Sequence, residues 1–240
     1  MQNKNKISVI LPTYNESENI VPLIVAIKEV LSSRRELYEI IVVDDDSADR
    51  TGEIVKDTFT EEMRVKCIIR KGERGLATAI RRGISESTGN IIVVMDTDFN
   101  HNPKQLPQLI DFLQYYKIII GSRFISYGGM QDWRRYYLSF FFNLFFIRPL
   151  LRTHVQDNLS GFFSIHRAAL DDLPWDTIFR GYGDYFLRLL YYAARKRQSI
   201  LEVPVYYELR TSGESKTSFL PIFLLYTKAT LALKFHALFG

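Results

Sequence analysis

Cysteine is nearly absent from the sequence, and Cys67 is the single one among 240 residues. A lone cysteine forms no intramolecular disulfide, which excludes a scaffold held together by disulfide bridges and favours a reducing compartment. Cys67 lies in the apolar run 65–69, so we expect it to be a core residue without chemistry of its own.

The sequence also lacks a long hydrophobic run. Arg148, Lys228 and Lys234 interrupt the most apolar stretches, and none reaches the roughly 20 uninterrupted apolar residues of a membrane-spanning helix. Residues 1–6 are polar and the apolar run after them ends at Pro12, a pattern that does not match a signal peptide. We therefore expect an intracellular, cytoplasmic protein, for which contact with a membrane surface stays open.

The sequence also lacks a strong excess of positive or negative charge. The 31 lysines and arginines against 27 aspartates and glutamates leave a net charge of +4, too small a bias to indicate a nucleic-acid partner. Hydrophobic residues make up 47% of the chain, which at this length favours one α/β domain with a substantial core.

Glycine is missing where a dinucleotide-binding fold requires it. The turn after the first predicted strand, residues 11–15, contains none, which argues against a nicotinamide or flavin dehydrogenase of that type. The sequence also contains no phosphate loop of the Gly-Lys-Ser/Thr kind.

Apolar runs alternate with segments of helical periodicity, which predicts a mostly parallel sheet with crossover helices. Strands are predicted at residues 7–11, 39–43, 65–69, 91–95, 118–120, 161–165 and 200–207. Helices are predicted at residues 15–34, 49–60, 75–87 and 182–196. Two further stretches, 134–151 and 221–239, are dense in apolar residues.

The buried-strand run 91–95 ends in two carboxylates, Asp96 and Asp98. Ligands in open α/β sheets lie beyond the carboxyl ends of the strands, so both should face a cleft. Alternate residues of an extended chain point the same way, and the two carboxylates could reach one hard cation. The side-chain carbonyl of Asn100 is a candidate third ligand.

The other strand ends carry weaker signals, each with a structural alternative. Tyr14 could stack on a nucleobase, or its segment 12–16 could be an ordinary strand-to-helix turn. Residues 44–46 are all aspartates that could hold a ribose or simply cap a helix. The segment 70–76 suits an anionic nucleotide at a helix N-terminus or a solvated basic loop.

The second half carries candidate groups for an acceptor. Arg135, Ser139 and Asn143 are spaced by four residues, so they could form a polar seam for a phosphate on an apolar tail, or belong to a core helix. Asp157 could act as a base or orienting group, or cap a turn. The loop 210–216 could close over phosphates or lie on the surface.

Taken in order, these segments resemble the family 2 glycosyltransferases, and within them the polyprenol-phosphate sugar synthases of the dolichol-phosphate mannose synthase type. The segments that carry the resemblance are residues 12–16, 43–47, 74–77, 96–98, 121–123, Arg135 with Ser139 and Asn143, 157–162, 202–204 and 213–216. The resemblance implies a GT-A-type nucleotide-sugar-binding fold. It also implies a reaction that inverts the anomeric centre in one displacement, with Mg²⁺ or Mn²⁺ on the donor diphosphate.

The resemblance assigns roles to residues that match the family's motifs. The implied donor-binding residues are Pro12, Tyr14, Glu16, Asp44, Asp46, Arg74 and Asp96. The metal is implied at Asp96 and Asp98, with Asn100 standing where relatives often carry Gln. The implied acceptor-phosphate ligands are Arg123, Arg135, Ser139, Arg210 and Lys216. The residues implied in catalysis are Asp98, Asp157 and Arg123, with Asp157 as an orienting group.

We therefore expect a cytosol-facing hexosyltransferase that uses a GDP-mannose or UDP-glucose type donor and a polyprenyl phosphate acceptor. Residues 1–215 would form the catalytic domain, and 216–240 an apolar helix that lies in the membrane interface or binds a small membrane protein. A saccharide acceptor, or nucleotide-sugar binding without turnover, are the alternatives. Relatives carry a Glu where Arg188 stands, and Asp184 could replace that acid.

Overall fold

The computed structural model describes residues 5–209 and 219–239. Its strands are β1 (Lys6–Thr13), β2 (Leu37–Asp44), β3 (Val65–Ile69), β4 (Ile91–Val94), β5 (Ile118–Ser122), β6 (Gly129–Met130), β7 (Phe163–His166), β8 (Ile200–Pro204) and β9 (Tyr206–Tyr207). Its α-helices are α1 (Ile20–Ser32), α2 (Thr51–Thr58), α3 (Leu76–Glu86), α4 (Leu106–Asp111), α5 (Trp133–Phe142), α6 (Arg148–Leu151), α7 (Arg167–Asp171), α8 (Trp175–Ile178), α9 (Asp184–Arg195) and α10 (Phe219–Phe239). A π-helical segment, Asn143–Ile147, joins α5 to α6.

Seven strands form one sheet in the order β3-β2-β1-β4-β7-β5-β8. Neighbouring strands run parallel except around β7, which is antiparallel to both β4 and β5. Strands β6 and β9 form a separate parallel pair. The predicted mostly parallel sheet flanked by helices is confirmed, and the carboxyl ends of β1, β2 and β4 lie side by side at one edge.

The two faces of the sheet bury separate apolar clusters. On one face, Val9 and Leu11 of β1 pack with Leu23 and Ile27 of α1. On the other, Ile10 packs with residues of α3 and α9. This alternation follows from the two-residue period of a strand, and each fully buried Leu or Ile contributes about 1.5–3 kcal/mol. Gly83 lets α3 approach β1 closely, because a Cβ there would lie 2.5 Å from Ile10 Cγ2.

Two predicted elements differ from the structure by more than a few terminal residues. Helix α1 begins at Ile20 rather than near Asn15: Asn15 adopts a left-handed backbone with φ of 51°, and a turn over residues 17–19 precedes the helix. The predicted strand 200–207 divides at Val205, whose N–H donates to the carbonyl of Ser122 at 3.0 Å. Long-range hydrogen bonds of this kind are not visible in residue periodicity.

Helix α10 packs against α6 and α9 through a small apolar cluster. Ala229 and Leu233 of α10 contact Ile147, Leu187 and Tyr191. The opposite side of α10 leaves large apolar side chains exposed, namely Leu224, Leu231 and Phe235. No helix within the described ranges combines the length and hydropathy needed to cross a membrane.

Candidate functional site

A cavity of about 830 Å³ opens at the carboxyl edge of the sheet. Its lining includes most of the residues that the sequence singled out: Pro12, Tyr14, Glu16, Arg74, Asp96, Asp98, Arg123, Arg135 and Ser139. Five other predicted residues do not line it: Asp44, Asp46, Asn100, Asn143 and Asp157. The predicted phosphate ligands Arg210 and Lys216 lie outside the described residues.

The end of β4 brings two carboxylates to the cavity. Asp98 is buried, while the side chain of Asp96 is 48% exposed. Asn100 donates to the Asp98 carboxylate through its backbone N–H at 3.2 Å and its side-chain Nδ2 at 2.8 Å. The amide of Asn100 therefore orients Asp98, and its role as a direct metal ligand stays a prediction.

The donor set suits a cation that is shared with a substrate. Among residues 5–209 and 219–239, no three His, Cys, Asp or Glu side chains are grouped to hold a metal ion. Mg²⁺ is commonly bound by one or two carboxylates that are completed by water and substrate phosphates. The carboxylates of Asp96 and Asp98, both facing one cavity, fit that mode of binding.

His101 is a component of this site that sequence reasoning missed. It is fully buried, and its Nδ1 accepts the backbone N–H of Asp96 at 2.8 Å. The ring stacks on Phe162 with a centroid distance of 4.6 Å. Burial lowers the pKa of His101 to about 3, so the ring is neutral. Its position three residues after Asp98 was the only sequence signal.

Asp157 and Arg123 form an ion pair beneath the cavity. Arg123 donates to the Asp157 carboxylate through Nε and Nη2, both at 2.8 Å, and through its backbone N–H at 3.0 Å. Burial alone would lower the pKa of Arg123, but the Asp157 charge and hydrogen bonds outweigh burial and raise it. The backbone N–H of Leu159 donates a further hydrogen bond to the Asp157 carboxylate at 3.1 Å. Asp157 is thus saturated with donors and oriented toward Arg123.

Glu202 supports the loop that carries Asp157. Its carboxylate accepts the backbone N–H groups of Gln156 at 2.7 Å and Asp157 at 2.9 Å. Burial raises the pKa of Glu202 despite these hydrogen bonds. The segment 202–204 belonged to the resemblance, and the structure gives this glutamate a positioning role.

At the end of β2, the three consecutive aspartates take different positions. Asp45 lines the cavity and accepts hydrogen bonds from Arg70 Nε at 2.7 Å and the Gly75 N–H at 2.8 Å. Asp44 is fully buried, and its carboxylate accepts from the backbone and side chain of Ser47. Asp46 is exposed. Asp44 and Asp46 as donor ligands remain predictions, and Asp45 fits that role better by position.

Tyr14 and Arg74 lie against each other in the lining of the cavity. The guanidinium carbon of Arg74 is 4.1 Å from the centroid of the Tyr14 ring, and Arg74 Nη2 donates to the Tyr14 hydroxyl. A planar cation over an aromatic face occupies the kind of surface on which a nucleobase stacks.

The other end of the cavity combines polar groups with an apolar wall. Arg135 and Ser139 of α5 line it, as predicted from their spacing. Asn143 does not, because its buried side chain turns into the protein and hydrogen-bonds to Gln156 and Asn158. The predicted three-residue seam therefore ends after two residues. The apolar wall consists of Phe142, Leu159, Ile222 and Phe223.

Helix α9 begins beside the cavity with a buried ion pair. Arg188 donates to the Asp184 carboxylate and, through Nε, to the carbonyl of Ile178 at 3.1 Å. Asp184 also accepts the backbone N–H of Tyr182 at 2.8 Å. Arg188 and Asp184 thus neutralise each other and hold the loop whose residues Tyr182 and Gly183 line the cavity.

Comparison with known sequences identifies close relatives of this chain. The profile of the family described as glycosyl transferase family 2 matches residues 8–174. A dolichol-phosphate mannosyltransferase of Pyrococcus furiosus is 34% identical over 216 residues, covering 88% of this chain and 59% of that protein. The chain thus spans less than two thirds of that relative. The Saccharomyces cerevisiae dolichol-phosphate mannosyltransferase is 34% identical over 218 residues, covering 88% of this chain and 80% of its own length.

Solved structures share the fold of this chain. Glucosyl-3-phosphoglycerate synthase from Mycobacterium tuberculosis, in complex with Mn²⁺, UDP and glucosyl-3-phosphoglycerate, superimposes with a TM-score of 0.71 at 22% identity. The match covers 96% of this chain and 80% of that one, which confirms the GT-A-type fold. From its matching profile and its curated relatives, the chain belongs to glycosyl transferase family 2.

Proposed function

We propose that this chain transfers one sugar from a nucleotide-sugar donor to a polyprenyl phosphate, inverting the anomeric centre. The supporting observation is the layout of one cavity. Asp96 and Asp98 lie at the sheet edge, and Arg135 and Ser139 lie beside an apolar wall. A diphosphate bound to a cation suits the sheet edge with its two carboxylates. A phosphate on an apolar tail suits the region where Arg135 and Ser139 lie beside the apolar wall. The names of the curated relatives, dolichol-phosphate mannosyltransferases, agree with this assignment.

The donor nucleotide would lie between the ends of β1, β2 and β4. Tyr14 and Arg74 would enclose the base, and Asp45 would face the ribose from its position in the lining. Asp96 and Asp98 would hold Mg²⁺ or Mn²⁺ on the diphosphate. When bound, the ion neutralises charge on the nucleoside diphosphate leaving group.

The acceptor phosphate would lie next to Arg135, with Arg123 and Ser139 as further contacts. A phosphate monoester is already largely anionic near neutral pH and needs placement more than deprotonation. The saturated carboxylate of Asp157 agrees with that requirement, since its hydrogen bonds hold Arg123 in place. Arg123 and Arg135 would fix the attacking oxygen relative to the anomeric carbon.

An exposed aromatic face beside the cavity supports contact with a membrane. Trp133, Tyr137, Phe141 and Phe145 follow one another at intervals of four residues and are between 49% and 71% exposed. Four-residue spacing places them on one side of the helical segment 133–147. We define these four residues as the aromatic face. Aromatic side chains favour the interface between headgroups and acyl chains.

Within the same proposal, residues 1–215 form the catalytic domain and 216–240 a segment in contact with the membrane or a small membrane protein. The protein would work as a peripheral enzyme on the cytoplasmic side. Exposed Leu224, Leu231 and Phe235 of α10 provide additional apolar surface for that contact.

Transfer of label from a panel of GDP- and UDP-sugars into organic-extractable lipid tests the proposed reaction. The assay contains polyprenyl phosphate with Mn²⁺ or Mg²⁺, and Asp98→Asn serves as the inactive control. Lipid-bound label that requires both metal and Asp98 is expected, and the active donor identifies the sugar. Label in water-soluble saccharide would indicate the alternative acceptor, while metal-dependent nucleotide binding without any product would indicate a binding protein.

A further inference from the structure

His101 has a buried ring nitrogen, Nε2, to which the hydrogen bonds of the proposed site assign no role. Its Nε2 has no hydrogen-bond partner among residues 5–209 and 219–239. Buried polar atoms are normally paired, because leaving one unpaired costs free energy. The ring lies directly behind Asp96, which lines the cavity, so an unpaired nitrogen there points to a partner that moves when the site is filled.

The hydrogen bond at the other ring nitrogen determines the tautomer of His101. Nδ1 accepts the backbone N–H of Asp96 at 2.8 Å, so it carries no proton. A neutral imidazole then bears its single proton on Nε2. The unpaired atom is consequently an N–H donor, and it needs an acceptor.

The ring of His101 is fixed in one orientation. It stacks on Phe162 at 4.6 Å with an interplanar angle of 9°, and Tyr207 packs against it at 4.8 Å. The hydroxyl of Tyr207 donates in turn to the carbonyl of Ser160 at 3.0 Å. With the ring fixed, Nε2–H points in a constant direction.

One acidic acceptor close to Nε2 is a carboxylate of the proposed metal site. Nε2 of His101 lies 3.7 Å from Oδ2 of Asp96, slightly beyond hydrogen-bond length. The Asp96 side chain is 48% exposed to the cavity, so its carboxylate has room to rotate toward the ring. A small side-chain movement would satisfy the buried donor.

We infer that His101 is a positioning residue for Asp96, with Nε2–H donating to Asp96 Oδ2 when the cavity binds a cation and a nucleoside diphosphate. This inference rests on the proposed function. The hydrogen bond occupies one carboxylate oxygen and leaves the other directed at the cation. Groups that hold metal ligands in this way typically change metal affinity by about 10- to 100-fold when they are lost.

Two substitutions separate the roles of the ring nitrogens. In His101→Asn, the amide oxygen takes the place of Nδ1 and keeps the bond from the Asp96 N–H, but the Nε2 donor is lost. In His101→Gln, the amide nitrogen takes the place of Nε2 and keeps the donor. His166→Gln is the matched control, because His166 bonds to the carbonyl of Leu113 at 2.7 Å and pairs with the start of β4, away from Asp96.

Mn²⁺ affinity, measured in the presence of GDP and separately of UDP, is the readout, together with the thermal midpoint of each variant. We expect His101→Asn to weaken Mn²⁺ binding about tenfold at a midpoint like that of His166→Gln, and His101→Gln to restore most of the affinity. Wild-type affinity in His101→Asn would overturn the inference and leave the proposed function intact. No Mn²⁺-dependent nucleotide binding by the wild type would overturn both.

A measurement on the unmodified protein covers the case in which a variant does not fold. Nitrogen-15 NMR of the four histidines reports which ring nitrogen carries the proton. We expect a His101 resonance of the Nε2–H tautomer whose Nε2 shift changes when Mg²⁺ and GDP are added. A proton on Nδ1, or an Nε2 shift that does not respond while nucleotide binds, would contradict the inference.

Discussion

Arg123 and Asp157 form a bidentate ion pair, in which the Nε–Oδ2 and Nη2–Oδ1 distances are both 2.8 Å. The pair connects the end of β5 to the loop before β7, and both side chains are buried. A carboxylate that already accepts four hydrogen bonds is a poor proton acceptor and a good anchor. Asp157 therefore acts on the reaction through the position of Arg123.

Loss of the Asp157 carboxylate should destabilise the fold. Asp157→Ala leaves the buried Arg123 charge unpaired, for which we expect a loss of about 3–5 kcal/mol in the free energy of unfolding. Urea denaturation at neutral pH measures this loss. Asp172→Ala, which removes an exposed partner of Lys196 at 3.2 Å, should cost less than about 1 kcal/mol. Equal effects of the two substitutions would show that the Arg123 pair does not hold the loop.

Arg135 and Arg134 offer a matched pair for the acceptor end of the cavity. Arg135 lines the cavity, whereas Arg134 lies over the exposed ring of Trp133 at 5.4 Å. We expect Arg135→Ala to raise the KM for polyprenyl phosphate about tenfold or more, since a charge-assisted hydrogen bond is lost. Arg134→Ala should leave it within about twofold. Steady-state transfer assays check both, and a similar KM for the two variants would argue against Arg135 as the phosphate ligand.

The aromatic face should contribute directly to membrane affinity. Replacing Phe141 and Phe145 together by serine removes two exposed rings, which we expect to weaken binding to phosphatidylcholine–phosphatidylglycerol vesicles about tenfold or more. Vesicle cosedimentation is the measurement. Tyr115→Ser is the control, because Tyr115 is also exposed but precedes β5, at the edge of the sheet opposite the cavity. Wild-type vesicle binding by the double variant would rule out this face as the contact.

Glu39 should make stability depend on acidity. Burial alone would raise the pKa of Glu39, but hydrogen bonds from Ser8, Thr88 and Lys6 outweigh burial and lower the pKa to about 2, from 4.5. A lowered folded-state pKa stabilises the protein above pH 4.5, and this contribution is lost as the pH falls toward 2.

The test compares Glu39→Gln with the wild type in unfolding experiments from neutral to acidic pH. We expect the variant to be less stable by on the order of 2 kcal/mol at pH 7, with the difference shrinking through the acidic range. Glu61→Gln, at an exposed position, is the matched control and should show no such trend. A difference that stays constant down to low pH would contradict the assignment.

Much of the site could be predicted because its signals are local. The apolar run before Asp96 indicated both a buried strand and a cleft at its end, and four-residue spacing brought Arg135 and Ser139 to one side of a helix. Parallel strands end at a common edge, so the separate strand ends were expected to converge.

The remainder depends on contacts between distant parts of the chain. His101 is held by Phe162 and Tyr207, which lie far along the sequence, and residue periodicity does not report such contacts. Among the three aspartates after β2, Asp45 rather than Asp44 or Asp46 faces the cavity, because its partners Arg70 and Gly75 come from the loop before α3. Four-residue spacing groups Asn143 with Arg135, but hydrogen bonds to the distant residues Gln156 and Asn158 hold the Asn143 side chain away from the cavity.

The central claim is that the acceptor is a phosphate on an apolar chain. The most direct test compares polyprenyl phosphate with the polyprenol of the same length, using the active nucleotide-sugar and saturating metal. We predict that label enters only the phosphate-bearing lipid, and that Arg135→Ala reduces this transfer. Equal labelling of the two lipids, or transfer to neither alongside transfer to a soluble saccharide, would contradict the claim.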